Sequence, residues 1–376
     1  MLLVPIKVWG VSRVVIMGLA GLSAWAVPHH DFSDRLLGDS GWGSFLLRWD
    51  GVYFWEIAKH GYIGERATAF FPLLPWLMQA VHWATGWELS TCGVVVSNVS
   101  GWLAAEALFR LSWRYFGAEK AKMALWLFAF NPCSVLYSAL YTEALFAALC
   151  LWGILGILSN EYGWGSLGLM GAAATRSNGF LLGPLVLLNC WLKAAWMKGI
   201  GLAVSIGLVF GGIQGYWWWA RFKSIGWTLP YSYIQDRHWD QGFLRFYRDT
   251  KNIPNLIVGL PFVMLSSLVL GLGVRREVKE IQKAKKKEGL KWRFYLTPFK
   301  ATTLFLYALL LFQILLSIFF IHMNMHFRFV SFNPVIYWEL ADLFLSGSVL
   351  GQLLILGYVL FGFAYAVLYG AYFPPA

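Results

Sequence analysis

Three groups of residues in this chain carry side chains that can act together on a hydroxyl and a phosphate. The first is Arg48-Trp49-Asp50-Gly51-Val52-Tyr53-Phe54, continuing through Glu56 and His60-Gly61-Tyr62 to Ala69-Phe70-Phe71-Pro72. It sets a carboxylate among cationic and aromatic groups just ahead of an apolar run. Group transfer to a hydroxyl needs a base to take the proton as the new bond forms, and Asp50 is the candidate. The alternative is that Asp50 only caps a helix, a common use of Asp. Glu56 lies six positions further on, points elsewhere on a helix and reads as part of a solvated face. Arg48, Trp49 and His60 are candidate substrate contacts, although His60 also fits an interfacial hydrogen-bonding role.

The second group is Asn131-Pro132, Tyr137-Ser138 and Tyr141-Thr142-Glu143. Pro132 should end or kink a span, which leaves Glu143 at or inside a membrane boundary. An ionisable group at that depth is expensive unless it is paired or wet, so it marks a functional site by default. Arg176-Ser177-Asn178-Gly179 supplies a cation, and a buried Glu143–Arg176 pair that merely locks helices stands beside a substrate-contact role. The third group is His322-Met323-Asn324-Met325-His326-Phe327-Arg328, followed by Asn333-Pro334 and Tyr337-Trp338. If helical, it puts His322 with His326 and Asn324 with Arg328 on shared faces. A zinc reading of the His pair lacks a third ligand. Arg328 suits a phosphate because its planar fork holds two oxygens; snorkelling to headgroups would use the same property.

The elements that must position these groups are membrane spans. The chain is 59% hydrophobic and only 13% charged, against about a quarter charged in a soluble domain, so it needs lipid as solvent. Its 22 Trp suit the headgroup level, where the ring is buried and the N–H stays wet. Apolar runs that can serve as spans are 6–27, 70–85, 92–111, 121–139, 144–158, 165–174, 180–192, 199–220, 256–274, 302–321 and 348–369. Some are short, tilted or broken, which predicts about ten crossings of about 20 residues each. The fold class expected is an all-α polytopic bundle forming one unit over 1–376. Three polar segments interrupt it: a first loop over 28–69 with an amphipathic interfacial helix between Phe45 and Ile57, a second over 224–254, and a basic run over 275–300.

The net charge of +11 is concentrated in that basic run, which reads as a cytoplasmic loop rather than a base-reading surface, so nucleic acid is not expected. With the N-terminus also cytoplasmic, the first loop is lumenal, but a strict count of the runs puts the basic segment on the wrong side. Arg110, Arg114, Lys120 and Lys122 favour cytoplasm near Gly117, which points to 70–111 as the miscounted region. Cys92, Cys133, Cys150 and Cys190 have no paired spacing and read as small buried hydrophobes. The first apolar run lacks a small-residue cleavage site and reads as a retained span.

In this order, the clusters resemble the GPI mannosyltransferase II (PIG-V) family, a branch of the GT-C glycosyltransferases. The resemblance rests on Arg48-Trp49-Asp50 with His60-Gly61-Tyr62, Ala69-Phe70-Phe71-Pro72, Asn131-Pro132 with Tyr141 and Glu143, and Arg176-Ser177-Asn178-Gly179. It continues through Tyr233, Gln235, Trp239, Gly242-Phe243-Leu244, Tyr247 and Ile253-Pro254-Asn255 to His322, Arg328, Pro334 and Tyr337-Trp338. The match covers nearly the whole chain. Asn324 departs from an expected Gln and Gly51 from a more usual Ala.

The resemblance implies an endoplasmic reticulum membrane enzyme with a lumenal active site and a GT-C helix bundle. It implies dolichyl phosphate mannose as donor and a GPI precursor bearing one mannose as acceptor, joined through an α-1,6 bond. A β-linked donor then implies inversion in a single displacement, with one base and no covalent sugar–enzyme intermediate. Arg328, His322 or Arg176 would meet the leaving phosphate, with Asn178 and Gln235 as further substrate contacts. No metal or other cofactor is expected, and a small accessory membrane subunit is an expected partner. Two rivals remain: another GT-C enzyme using a different polyprenyl-phosphate sugar, and a lipid transporter, which should show paired inverted halves with broken helices.

Overall fold

Apolar runs that must satisfy their own backbone hydrogen bonds in lipid become helices. The computed structural model describes residues 3–27, 44–288, 296–371 and 373, and among them there are helices and no strand. In chain order they are α1 (Leu3–Ala26), α2 (Asp50–His60), α3 (Leu73–Thr85), α4 (Leu89–Phe116), α5 (Ala118–Ala129), α6 (Glu143–Leu158), α7 (Tyr162–Thr175) and α8 (Gly183–Leu192). Then follow α9 (Trp196–Trp217), α10 (Pro230–Trp239), α11 (Ile253–Glu288), α12 (Pro298–Phe319), the single turn α13 (His326–Val330), α14 (Pro334–Leu345) and α15 (Val349–Gly370).

Among the described residues, six helices are long and apolar enough to cross a membrane on their own: Leu3–Ala26, Leu89–Phe116, Trp196–Ile225, Thr250–Lys283, Pro298–Phe319 and Val349–Gly370. The shorter runs among the ten or so expected crossings, such as Glu143–Leu158 and Ser177–Leu192, are apolar helices below that length. The run over 121–139 breaks where α5 stops at Ala129 and Asn131-Pro132 turns the chain, and the Asn131 side chain accepts from Cys133 N at 2.9 Å. The carbonyls freed by this break are met from α1: Arg13 donates to Ala129 O at 2.8 Å and to Ser134 O at 2.7 Å. The buried helix α14 was not among the apolar runs, because it has only 12 residues and contains Glu339 and Asp342. The basic run is not a plain loop either. α11 continues through Pro261 as far as Glu288, while 289–295, with Lys291 and Arg293, and 28–43 of the first loop lie outside the described residues.

The bundle has two distinct ends. At one, Asp50, Tyr141, Arg176, Tyr231 and Arg328 gather. At the other, Tyr115 stacks on Phe299 with ring centres 3.8 Å apart, Arg114 donates to Ser159 Oγ at 2.9 Å and Lys120 pairs with Asp342 at 2.6 Å. The helix α3 does not run between them. Its 13 residues span about 20 Å, short of a hydrocarbon core of about 30 Å. It stays at the first end, packing Leu74 and Met78 against Val52, Phe54 and Cys92, while Gln79 donates to Ala58 O at 2.8 Å. With α3 removed from the count, the start of α1 and the basic segment after α11 fall at the same end. The miscounted region is therefore 70–85.

Candidate active site

Each charged group reaches the site by a local feature of its own segment. Asp50 opens α2 but does not cap it. The cap residue is Trp49, which makes no side-chain cap bond and sits at φ 54°, a conformation costing a bulky residue about 1–3 kcal/mol. A clamp holds that peptide in place: the Tyr141 hydroxyl donates to Arg48 O at 3.1 Å and accepts from Asp50 N at 3.3 Å. Behind it the Arg48 side chain is fully buried, so it supports the turn rather than facing the cavity. Glu143 and Arg176 are brought together by the α6–α7 hairpin. A Cβ at Gly165 would lie 2.8 Å from Ile157 N, so only glycine permits the approach. Arg328 follows a tight turn over Met323–Met325, itself pressed so closely on α11 that a Cβ at Gly259 would come within 2.5 Å of Met323 C.

The resulting constellation is a chain of alternating charges. Asp50 Oδ2 is 2.9 Å from Arg328 Nη2, Arg328 Nε donates to Glu143 Oε1 at 2.8 Å, and Arg176 Nη1 makes an ion pair with the same Glu143 oxygen at 2.9 Å. The Glu143–Arg176 pair foreseen as a helix lock therefore exists, but it belongs to a larger network. Exposure separates the two acids. The Glu143 side chain is 0% exposed and Arg328 6%, whereas Asp50 is 35% exposed, facing a cavity of about 280 Å³. Among the described residues lining that cavity, Asp50 is the sole carboxylate, and Arg176 and Arg328 are the fixed cations. Arg328 Nη1 meets only the Met325 thioether, at 3.5 Å, a weak acceptor that leaves a strong donor in reserve. His322 Nε2, Asn324 Oδ1 and Asn178 Nδ2 are buried at the cavity without a partner among the described residues, a state that costs about 1–3 kcal/mol per group unless a polar ligand meets it.

The sequence candidates divide accordingly. Asp50, Arg176, Asn178, Gln235, His322 and Arg328 line the cavity, and Glu143 lies directly beneath it. Arg48 and Trp49 shape the turn behind Asp50 and are not among its lining residues. His60 is exposed at the far end of α2, edge-on to Trp55 at 6.2 Å between ring centres, and takes no part. The shared face expected of His322 and His326 does not form, because the segment is a 3-10 turn before α13, whereas Asn324 and Arg328 both line the cavity. His322 faces the cavity while His326 is buried outside it, with Nδ1 2.8 Å from Ser317 Oγ and Nε2 2.9 Å from Ser266 Oγ. That removes the His pair as metal ligands. Tyr231 joins the site without having been among the sequence candidates. It lines the cavity, and burial pushes its phenol above the ordinary value while Ser177 and Arg176 pull the other way. Its only sequence signal was an aromatic residue at helical spacing from Gln235 and Trp239.

Known proteins match this chain along most of its length. A family model described as Mannosyltransferase (PIG-V) matches residues 29–192 and 212–357. A Cricetulus griseus protein named GPI alpha-1,6-mannosyltransferase 2 is 30% identical over 381 residues, covering 79% of this chain and 73% of its own. A Drosophila pseudoobscura pseudoobscura protein named GPI mannosyltransferase 2 is 29% identical over 286 residues; the match takes in 59% of this chain and 62% of that protein's length. Among solved structures, the Archaeoglobus fulgidus oligosaccharyltransferase aligns with 98% of this chain and 53% of its own at a TM-score of 0.53 and 10% identity. That likeness concerns the fold, which is the GT-C helix bundle.

Proposed function

Because this chain belongs to the PIG-V mannosyltransferase family, we propose that it moves mannose from dolichyl phosphate mannose to the 6-hydroxyl of a GPI precursor bearing one mannose. The new bond is α-1,6 and the reaction inverts the anomeric carbon. The observation that carries the reading is the half-exposed Asp50 carboxylate at a cavity whose other charges are Arg176 and Arg328. In this reading Asp50 takes the acceptor hydroxyl proton, the hydroxyl oxygen attacks C1 of mannose, and the C1–O bond to phosphate breaks. The electron pair leaves with dolichyl phosphate. Arg328 Nη1, held in place by the Glu143 and Asp50 contacts to its other nitrogens, meets the developing charge with Arg176 and His322. Donor phosphate on Nη1 draws on the same guanidinium charge that holds Asp50 through Nη2, so donor binding leaves the carboxylate freer to act as base.

The same reading places the cavity in the endoplasmic reticulum lumen and the basic end in the cytoplasm, consistent with Arg114, Lys120 and Lys300 collecting at that end. The test is Asp50→Asn in microsomes with radiolabelled dolichyl phosphate mannose and the mono-mannosylated acceptor. A general base contributes about 10²–10⁴-fold, so transfer should fall at least about 100-fold with membrane levels unchanged. Turnover near the wild-type rate would remove Asp50 from the base role. Transfer from a glucose-bearing donor in place of the mannose donor would move the chain to a different GT-C activity.

A further inference from the structure

The lining of the cavity is chemically lopsided. Its cations, Arg176 and Arg328, belong to the bundle side. A further part of the lining is α10, which presents Tyr231, Gln235 and Trp239 at i, i+4 and i+8, one row along a helix face that meets Ser177 and Arg176 at its Tyr231 end. These three carry no charge. Tyr231 lies edge-on to Phe71 at 6.0 Å and Trp239 edge-on to Phe70 at 6.1 Å, both between ring centres, so two aromatic pairs flank an amide. The back of α10 is wet, with Ser232, Asp236 and Arg237 exposed.

This helix is held firmly for an element in a polar loop. Gln214 Oε1 accepts from Tyr231 N at 2.9 Å, buried Ile234 packs with Trp217 and Phe222, and His238 sits between Arg66 at 3.2 Å and Glu65 at 3.1 Å. A rigid wall of aromatic faces and an amide, with no cation, is poorly suited to a phosphodiester. It fits a pyranose, whose C–H faces lie on aromatic rings while its hydroxyls reach amides. Resting on the reaction proposed above, we propose that the α10 face is the subsite for the acceptor's sugar. Tyr231, Gln235 and Trp239 hold the mannose that is to be extended, with its free hydroxyl toward Asp50, while the donor phosphate takes the cationic side.

The test uses the full-length protein in detergent micelles. Wild type, Trp239→Phe and Gln235→Ala are compared for transfer, titrating each substrate with the other saturating, and for acceptor binding in an Asp50→Asn background, where no turnover is needed. Gln235→Ala removes no aromatic packing and so guards against a folding artefact. The expected result is an acceptor KM and acceptor Kd raised roughly tenfold, equivalent to about 1.4 kcal/mol, with the donor KM unmoved. Unchanged acceptor binding in both variants, or a shift confined to the donor, overturns the assignment. If the wild type binds the acceptor through these residues but transfers no mannose, the proposed reaction fails and the subsite stands.

Discussion

The molecule carries a charge network at each end of its bundle, and only the one at Asp50 and Arg328 opens on the cavity described above. At the basic end, Arg276 reaches Glu339 at 2.6 Å and Asp342 at 2.9 Å, Lys120 reaches Asp342 at 2.6 Å, and Tyr307 donates to Glu339 at 2.6 Å. Lys300 pairs with Glu277 at 2.9 Å and with Glu280. Glu339 Oε1 takes both Arg276 Nη2 and the Tyr307 hydroxyl, Arg276 Nη1 goes to Asp342, and none of these residues lines the cavity. At the other end, Arg328 is shared between two acids, and one of them turns a third of its surface to a cavity ringed by unpartnered buried polar atoms. Charge at a membrane boundary is therefore not the mark of the site. The mark is hydrogen-bonding capacity left over once the fold is satisfied.

The largest expected effect puts that contrast to a direct test. Arg328→Lys keeps the charge but loses the fork that serves Asp50 and Glu143 together, so kcat should fall by about two orders of magnitude or more, the scale of a lost electrostatic group at the transition state. Arg276→Lys makes the matching change at the basic end, where breaking a largely buried pair should lower the folded fraction while specific activity per folded molecule stays within about twofold, because none of that network lines the cavity. Measuring both against the folded fraction decides the matter. Equal losses would mean that the two networks are both structural, and the distinction would fall.

A smaller loss is expected from the clamp beneath Asp50. Tyr141→Phe deletes the hydroxyl joining Arg48 O to Asp50 N, leaving the strained Trp49 peptide free to relax. A hydrogen bond of this kind is worth about 1 kcal/mol, so kcat should fall roughly tenfold through misplacement of the carboxylate. The acceptor KM should hardly change, since Tyr141 does not line the cavity. A purely structural role would instead lower thermal stability and leave the kcat of folded protein intact.

How much of this was legible in the sequence follows from the same physics. Asp50, Glu143, Arg176 and Arg328 stood out because ionisable groups beside apolar runs are costly, and all four converge. Their pairing was not legible. Asp50 and Arg328 are 278 positions apart, and no local period encodes which helices end side by side. The helix α14 escaped notice because its acids are neutralised by Arg276 and Lys120 from other helices, so a polar-looking stretch is apolar in effect. Within the suspected region 70–111, only the length of α3 and its packing on α2 and α4 single out 70–85 as the part that stays at one end. His322 and His326 misled because their spacing matches an α-helix, while Gly259 on α11 allows the backbone at Met323 so close that the segment winds as a 3-10 turn.

The smallest expected effect tests the boundary of the site. His60 ends α2 one residue before Gly61 at φ 75°, exposed and touching Trp55 edge-on. It is ten positions from Asp50, about 15 Å along the helix axis, too far to share a proton with it. Its side chain sits in the last turn of α2 and touches only Trp55 among the described aromatic pairs. His60→Ala should therefore leave both KM values and kcat within about twofold and stability within about 1 kcal/mol, measured on purified protein beside Asp50→Asn. A tenfold loss of activity with the fold intact would mean that substrate runs along α2 to its far end, and that the working region is wider than the cavity bounded by Asp50 and α10.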